Sequence, residues 1–306
     1  MTFGRANALL KGVASVLIAA LVISIVSAQR ASAEEYLVWN SIADPQTCPV
    51  GDTAVWVEYA GGADCIRYFK SDNQNPDSTV VIRLEGDKAA YLDRALSDIP
   101  NNTAAGQVDY ARTLSRRFNN MPVIVVSRPG TYGSSGDHRR RRSLPEYLAL
   151  NSALDQIVAK YGINRMVLSG QSGGATAAAA LMTLGRHDVS CALLTSGAYG
   201  LLERADFIRK RNGLPAQPGV DINGVVDPYD PLDHINGMVA DPNRQIVLLG
   251  NVRDRVTPFF LLQRYADALE RAGNAVEVLE RPGVPPSFHH LSDAVGAADF
   301  DDCHLS

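Results

Sequence analysis

The chain has no C-x-x-C pair, no H-E-x-x-H, no internal repeat and no low-complexity tract. Without C-x-x-C, zinc-ribbon and thioredoxin-like chemistry is not expected, and without H-E-x-x-H neither is that class of zinc peptidase. There is no excess of cations. Lys and Arg total 29 against 33 Asp and Glu, a formal net charge of -4, so nucleic acid is not the expected partner. Charged residues make up 20% and hydrophobic residues 46% of the 306, an ordinary globular balance. That balance excludes a disordered tail, a collagen and a multi-span membrane protein. A chain of this length can bury a large core as one α/β domain, without metal or many staples.

One long apolar run is present, the 17 residues 12–28. Arg5 and Lys11 precede it, and Gln29-Arg-Ala-Ser-Ala33 follows. A positive start, an apolar middle and small residues ending in Ala-x-Ala describe a secretory signal over 1–33. Cleavage is expected after Ala33, with Val26-Ser-Ala28 as a second site. The alternative is an uncleaved anchor helix, since 17 residues is at the lower edge of a membrane span. Export, to a periplasm or out of the cell, makes the four cysteines readable. Cys48, Cys65, Cys191 and Cys303 permit three pairings. Cys48 and Cys65 flank one strand pattern and are expected to bridge. Cys191 would then tie a central strand to Cys303 in the C-terminal tail, and an oxidising compartment favours both bonds. The alternative leaves Cys191 as a free thiol buried in its apolar run.

Residues 34–306 read as a single domain in which strand and helix patterns alternate. The stretches 54–59 and 65–69, separated by Gly61-Gly62, read as a hairpin. Further strands are expected over 79–84, 122–127, 165–169, 190–195, 245–249 and 275–279. Helices are expected over 107–119, 144–161, 173–184 and 260–272. β-Branched runs bounded by Gly and Pro, alternating with helices, imply an α/β fold with a mostly parallel sheet covered on both faces. The stretch 201–244 breaks the alternation with Pro215, Pro218, Pro228, Pro231 and Pro242. It is read as a partial lid or cap inserted beside the strand C-termini, with a long loop as the alternative.

Chemistry concentrates at a few places. Gly170-Gln-Ser172-Gly-Gly174 is a G-x-S-x-G between an expected strand and an expected helix. A nucleophile on so sharp a turn needs small flanking residues. The turn presents the Ser172 hydroxyl at a helix start, where backbone N–H groups favour a developing oxyanion. The Gly173 N–H is the first expected donor. The second is the N–H of Gly86 or Asp87, in the loop after the 79–84 strand, unless Gly86 merely ends that strand. Asp254 follows the 245–249 strand and is the expected acid, because the exit of the 190–195 strand, Thr195 to Gly200, holds no carboxylate. The alternative for Asp254 is a turn before the helix at Pro258. Six histidines exist, and only His289 and His290 follow the last expected strand. His289 is preferred as the base because Leu291 is then free to anchor the next segment in the core. His290 remains the alternative, and a two-His metal site finds no spaced third ligand.

With Ser172 in its elbow, Asp254 after a later strand and His289 after the last, the chain resembles the α/β-hydrolase superfamily over most of residues 50–300. Ser127-Arg-Pro-Gly-Thr-Tyr-Gly-Ser-Ser-Gly136 is similar to that superfamily's loop after the fourth strand. Glu85-Gly-Asp-Lys88 departs from the His-Gly-Gly-Gly of many lipases and esterases. Ser at the elbow argues against dehalogenases, which use Asp, and dienelactone hydrolases, which use Cys. The resemblance implies hydrolysis of a small-molecule or peptide acyl substrate with no cofactor or metal. A carboxylic ester is the first expectation. A peptidase of prolyl-oligopeptidase or aminopeptidase type is the second, and a non-catalytic binding module the third. His138-Arg-Arg-Arg-Arg142 is a local basic run in an acidic chain, read as a solvated rim or surface ion pairs before an anion-attracting patch.

Overall fold

The computed structural model describes residues 35–51, 53–72, 79–293 and 295–304. The expected signal segment 1–33 lies outside the described residues. The chain divides into 1–36, of which only Glu35 and Tyr36 are described, and 37–306, which carries every element named below.

Strand β1 (Ala54–Tyr59) and β2 (Gly62–Lys70) form the expected hairpin. They are followed by β3 (Val80–Leu84), β4 (Val123–Val126), β5 (Met166–Gln171), β6 (Val189–Thr195), β7 (Gln245–Gly250) and β8 (Ala275–Glu280). Among the described residues these make one eight-stranded sheet in the order β1-β2-β4-β3-β5-β6-β7-β8. β2 runs antiparallel to β1 and β4, and the other pairs are parallel. Every residue of β3, β4 and β5 is buried, which is why those strands read as continuous rather than alternating.

Helices cover both faces. α1 (Ala104–Arg117) starts three residues before its apolar pattern does, because Thr103 caps it by accepting the Gly106 N–H at 3.0 Å. α2 spans Leu144–Tyr161, with Pro in its first turn and left-handed Gly162 at its end. α3 (Gly173–Thr183) is buried at every residue. α4 (Leu201–Arg211) was not expected. Two of its five buried residues, Arg204 and Arg209, are charged, so no apolar stripe betrays it. α5 spans Phe259–Arg271. Successive β3 residues serve opposite cores. Val80, Ile82 and Leu84 face the cluster under α2, α3 and α5, and Val81 faces the one under α1 and the C-terminal segment.

The stretch 201–244 splits in two. α4 and the loop to Val226 lie by the strand C-termini. The short 3-10 stretch Pro231–Gly237, kinked at His234, packs against α3 instead, where a Cβ on Gly237 would come within 2.2 Å of the Thr183 carbonyl. Cysteines pair as Cys48–Cys65 and Cys191–Cys303, with Cα separations of 5.6 and 5.5 Å. No cysteine is free, so the buried-thiol alternative for Cys191 falls. Among the described residues no helix is long and apolar enough to cross a membrane.

Candidate active site

β5 stops at Gln171 and α3 begins at Gly173, leaving Ser172 at the corner with φ 54° and ψ -121°. That conformation is strained for a residue with a Cβ and persists only where the surroundings hold it. Here the Ser172 N–H donates to the Thr195 carbonyl on β6 at 2.8 Å, and the Ser172 carbonyl accepts the Thr176 N–H at 3.1 Å. The flanking glycines have no room for side chains. A Cβ on Gly174 would stand 2.1 Å from the Leu84 carbonyl oxygen, and one on Gly170 2.5 Å from the Gly174 carbonyl.

The loops after β7 and β8 bring Asp254 and His289 to this corner. His289 Nε2 lies 2.8 Å from Ser172 Oγ, and His289 Nδ1 lies 2.9 Å from Asp254 Oδ2. An ionised carboxylate only accepts, so Nδ1 carries the ring proton and Nε2 is left to accept from the serine. Asp254 is itself pinned. Its Oδ1 accepts the N–H groups of Val256 at 2.7 Å and Thr257 at 2.9 Å, and its Oδ2 accepts the Thr257 hydroxyl at 2.7 Å. Thr257 escaped the sequence reading, because only the folded loop shows that its N–H and hydroxyl both donate to Asp254. Asp230 is occupied elsewhere, accepting the N–H groups of Gly200 and Leu201 at the start of α4.

Leu291 is buried, as expected of a core anchor, and its segment pairs with Gly283. That anchoring turns His289 inward. The neighbouring His290 ring lies 5.4 Å from the His289 ring, centre to centre, and is more exposed. Burial and then the neighbouring His289 lower the His290 pKa. Among the described residues no group of three or more His, Cys, Asp or Glu has metal-site geometry.

No family model matches the chain, and no curated protein does. Solved structures do. Est1E from Butyrivibrio proteoclasticus aligns at a TM-score of 0.53 and 11% identity, over 83% of this chain and 98% of that one. An esterase of Pyrococcus furiosus aligns at 0.51 and 15%, over 81% and 89%. The acylaminoacyl peptidase of Pyrococcus horikoshii aligns at 0.51 and 11%, over 83% of this chain, which spans only 40% of that one. The chain has the α/β-hydrolase fold. At such identities the likeness concerns the fold, and the chemistry must be argued from the site.

Within this α/β-hydrolase fold Gly173 opens α3, so its N–H has no intrahelical acceptor. Gly86 passes so close to Gln171 that a Cβ there would stand 2.4 Å from Gln171 Oε1. The Asp87 side chain comes as a surprise. Its Oδ1 lies 1.9 Å from where a Cβ on Gly173 would be. That carboxylate takes Arg128 Nη1 at 2.9 Å, Arg142 Nη2 at 2.6 Å and Arg141 Nε at 3.2 Å. Burial alone would raise its pKa, yet Arg142, Arg128 and Arg141 hold it well below the usual carboxylate range.

The basic run is therefore mostly turned inward. Arg139 is exposed and pairs with Asp93, as a surface cation would, but His138, Arg141 and Arg142 are buried. His138 Nε2 accepts the Lys88 N–H at 3.1 Å and Nδ1 faces the Pro129 carbonyl at 3.3 Å. Burial, and then the charge of Arg128, pushes His138 down to about 3, so it is neutral.

Proposed function

We propose that the chain is an exported serine hydrolase that cleaves a carboxylic ester. The unbroken hydrogen-bond chain Asp254–His289–Ser172 carries this reading. Ser172 Oγ forms a bond to the ester carbonyl carbon while its proton passes to His289 Nε2. The N–H of Gly173, with an amide from Gly86 or Asp87, holds the oxyanion. His289 returns the proton to the leaving alcohol as the C–O bond breaks, leaving an acyl group on Ser172. Water, deprotonated by the same ring, then adds to the acyl carbon, and the acid leaves as the bond to Ser172 Oγ breaks and His289 returns the proton to that oxygen. Asp254 keeps the ring in the required tautomer throughout, and none of these steps calls for a metal or cofactor.

An ester is preferred to a peptide because an aminopeptidase needs a free carboxylate for the substrate amine, and Asp87 is taken up by three guanidinium groups. A binding module has no use for a base aligned on a strained serine. Export is supported by two disulfides, which persist in oxidising compartments. The test is labelling with a fluorophosphonate followed by mass-spectrometric location of the adduct. An adduct on Ser172, absent in Ser172→Ala, is expected. An unlabelled protein, or an adduct elsewhere, removes the reading.

A further inference from the structure

The buried members of the basic run 138–142 converge on one short loop. Residues 85–88, between the end of β3 and the helical turn at Ala89, belong to no strand or helix. Yet each side chain of that loop is engaged. Glu85 Oε1 accepts from Arg83 Nε at 2.8 Å and from the Tyr110 hydroxyl at 2.6 Å, and Glu85 Oε2 accepts from Lys88 Nζ at 3.2 Å. Asp87 Oδ1 accepts from Arg128 Nη1 at 2.9 Å and Oδ2 from Arg142 Nη2 at 2.6 Å, with Arg141 Nε 3.2 Å away. The backbone is held as well. Arg128 Nη1 donates to the Glu85 carbonyl at 3.3 Å, and the Lys88 N–H donates to His138 Nε2 at 3.1 Å. Because peptide units are planar, these two bonds fix the units on either side of the one that joins Gly86 to Asp87.

The loop lies against the nucleophile's corner. A Cβ on Gly173 would stand 1.9 Å from Asp87 Oδ1, and one on Gly86 would stand 3.0 Å from the Gln171 carbonyl oxygen. It therefore touches the residues on both sides of Ser172. Its anchors are themselves anchored. Glu146 on α2 accepts Arg128 Nε at 2.7 Å and the Arg142 N–H at 2.6 Å, and the His138 N–H donates to Asn40 Oδ1 at 2.9 Å. Buried ion groups are weak contributors to stability compared with apolar packing, and what this one supplies is geometry. An oxyanion donor acts at about 2.7–3.1 Å, and a misplacement of about 1 Å can cost about a hundredfold in rate.

Taking Ser172 as the nucleophile, as proposed above, we infer that Asp87 and His138 are positioning residues of the oxyanion hole: their side chains hold loop 85–88 so that its Gly86 or Asp87 amide meets the developing charge beside the Gly173 N–H. The basic run is then the far side of this clamp. Asp87→Asn offers one accepting atom in place of two, so Arg128 or Arg142 would face an NH2 group. His138→Phe leaves the Lys88 N–H without its acceptor, whereas His138→Gln keeps an oxygen able to accept it. His138 contacts the loop and not the elbow, so its variants separate loop placement from a shift of Ser172.

The test is hydrolysis of 4-nitrophenyl butyrate, with rates counted per Ser172 that a fluorophosphonate labels to completion, so that unfolded protein drops out. Asp87→Asn should lower kcat about tenfold to a hundredfold, part of the loss seen when an oxyanion donor is removed outright, with KM within about threefold. His138→Phe should lower kcat at least about fivefold, and His138→Gln should recover most of that loss. Arg139→Gln, on the exposed side of the same run, should change neither constant. A phenylalkyl trifluoromethyl ketone gives a second reading. Ser172 Oγ bonds to its carbonyl carbon, the serine proton passes to His289 and the carbonyl oxygen becomes an oxyanion in the same hole. Its Ki should rise in Asp87→Asn and His138→Phe by the factor that kcat/KM falls. A loss that vanishes per labelled site, falls on KM alone or leaves the ketone's Ki unchanged makes the cluster a structural ion group and overturns the clamp. A labelled, active wild type with unaffected variants sinks the clamp and keeps the hydrolase, whereas an inert, unlabelled wild type removes both. Should Asp87→Asn fail to fold, the two His138 variants decide by the same readings.

Discussion

At the scale of single residues, two adjacent histidines of the same chemistry stand in different positions. His289 is buried with Nε2 2.8 Å from Ser172 Oγ, whereas the ring of its neighbour, 5.4 Å away centre to centre, is exposed. His289→Ala should lose nearly all ester turnover, since its Nε2 is the basic group placed to take the Ser172 proton. His290→Ala should keep most of kcat. Steady-state kinetics of the two variants decides, and a dead His290→Ala beside an active His289→Ala would move the base by one residue.

His138 has its effect on stability. Folded, it is held at about 3 against an ordinary value of 6.5, so it costs nothing while both states are neutral. Below about pH 6.5 the unfolded chain takes up a proton that the folded one refuses, and each pH unit down to about 3 removes about 1.4 kcal/mol. Glu85 adds to this at lower pH. Burial would raise it, but Arg83 and Lys88 bring it down to about 2, so its contribution is present above 4.5 and disappears as pH falls toward 2. Urea midpoints should therefore fall steadily from pH 6 to pH 4, and His138→Gln should flatten the upper part of that limb. A level wild-type profile over that range would mean that the buried histidine is not neutral.

At the scale of elements, the decisive contact is α3 against β3. It is made of backbone on both sides. A Cβ on Gly174 would meet the carbonyl oxygens of Leu84 at 2.1 Å and Glu85 at 2.6 Å, and neither can swing aside as a side-chain end could. Gly174→Ala should therefore cost about 1–3 kcal/mol of stability, the usual penalty of overpacking, and should displace the Ser172 corner. Denaturant unfolding and the rate of fluorophosphonate labelling read the two effects. Unchanged values in both would show that the helix has slack that the structure does not display.

At the scale of the whole molecule, two disulfides close loops of very different size. Cys48–Cys65 spans 17 residues and Cys191–Cys303 spans 112. In the chain-entropy account the first is worth about 3 kcal/mol and the second about 4.7 kcal/mol. The longer loop contains Asp254 and His289, and Cys303 fastens the tail that follows His289 to the central strand β6. Cys191→Ala/Cys303→Ala should lower the melting temperature more than Cys48→Ala/Cys65→Ala. It should also lower turnover at temperatures where the fold survives. A larger loss from the shorter bridge would show that strain or residual structure, not loop length, governs.

Local rules are enough for much of this protein. β-Branched runs, Gly and Pro boundaries and apolar periodicity determine the strand and helix alternation, because each depends on neighbours within one turn or one pleat. An α/β fold with a mostly parallel sheet follows from that alternation, and the glycines around Ser172 mark the corner because only they fit it. Tertiary structure decided what depends on partners far apart in sequence. α4 stayed hidden because its buried face carries Arg204 and Arg209, whose acceptors come from other segments. The inward turn of Arg141 and Arg142 needed Asp87, more than fifty residues earlier, to neutralise them. Thr257 and the choice between His289 and His290 depend on which loops meet at the strand ends. A buried charge is tolerated only where a partner waits, and the positions of such partners are set by packing, not by the residues next in the chain.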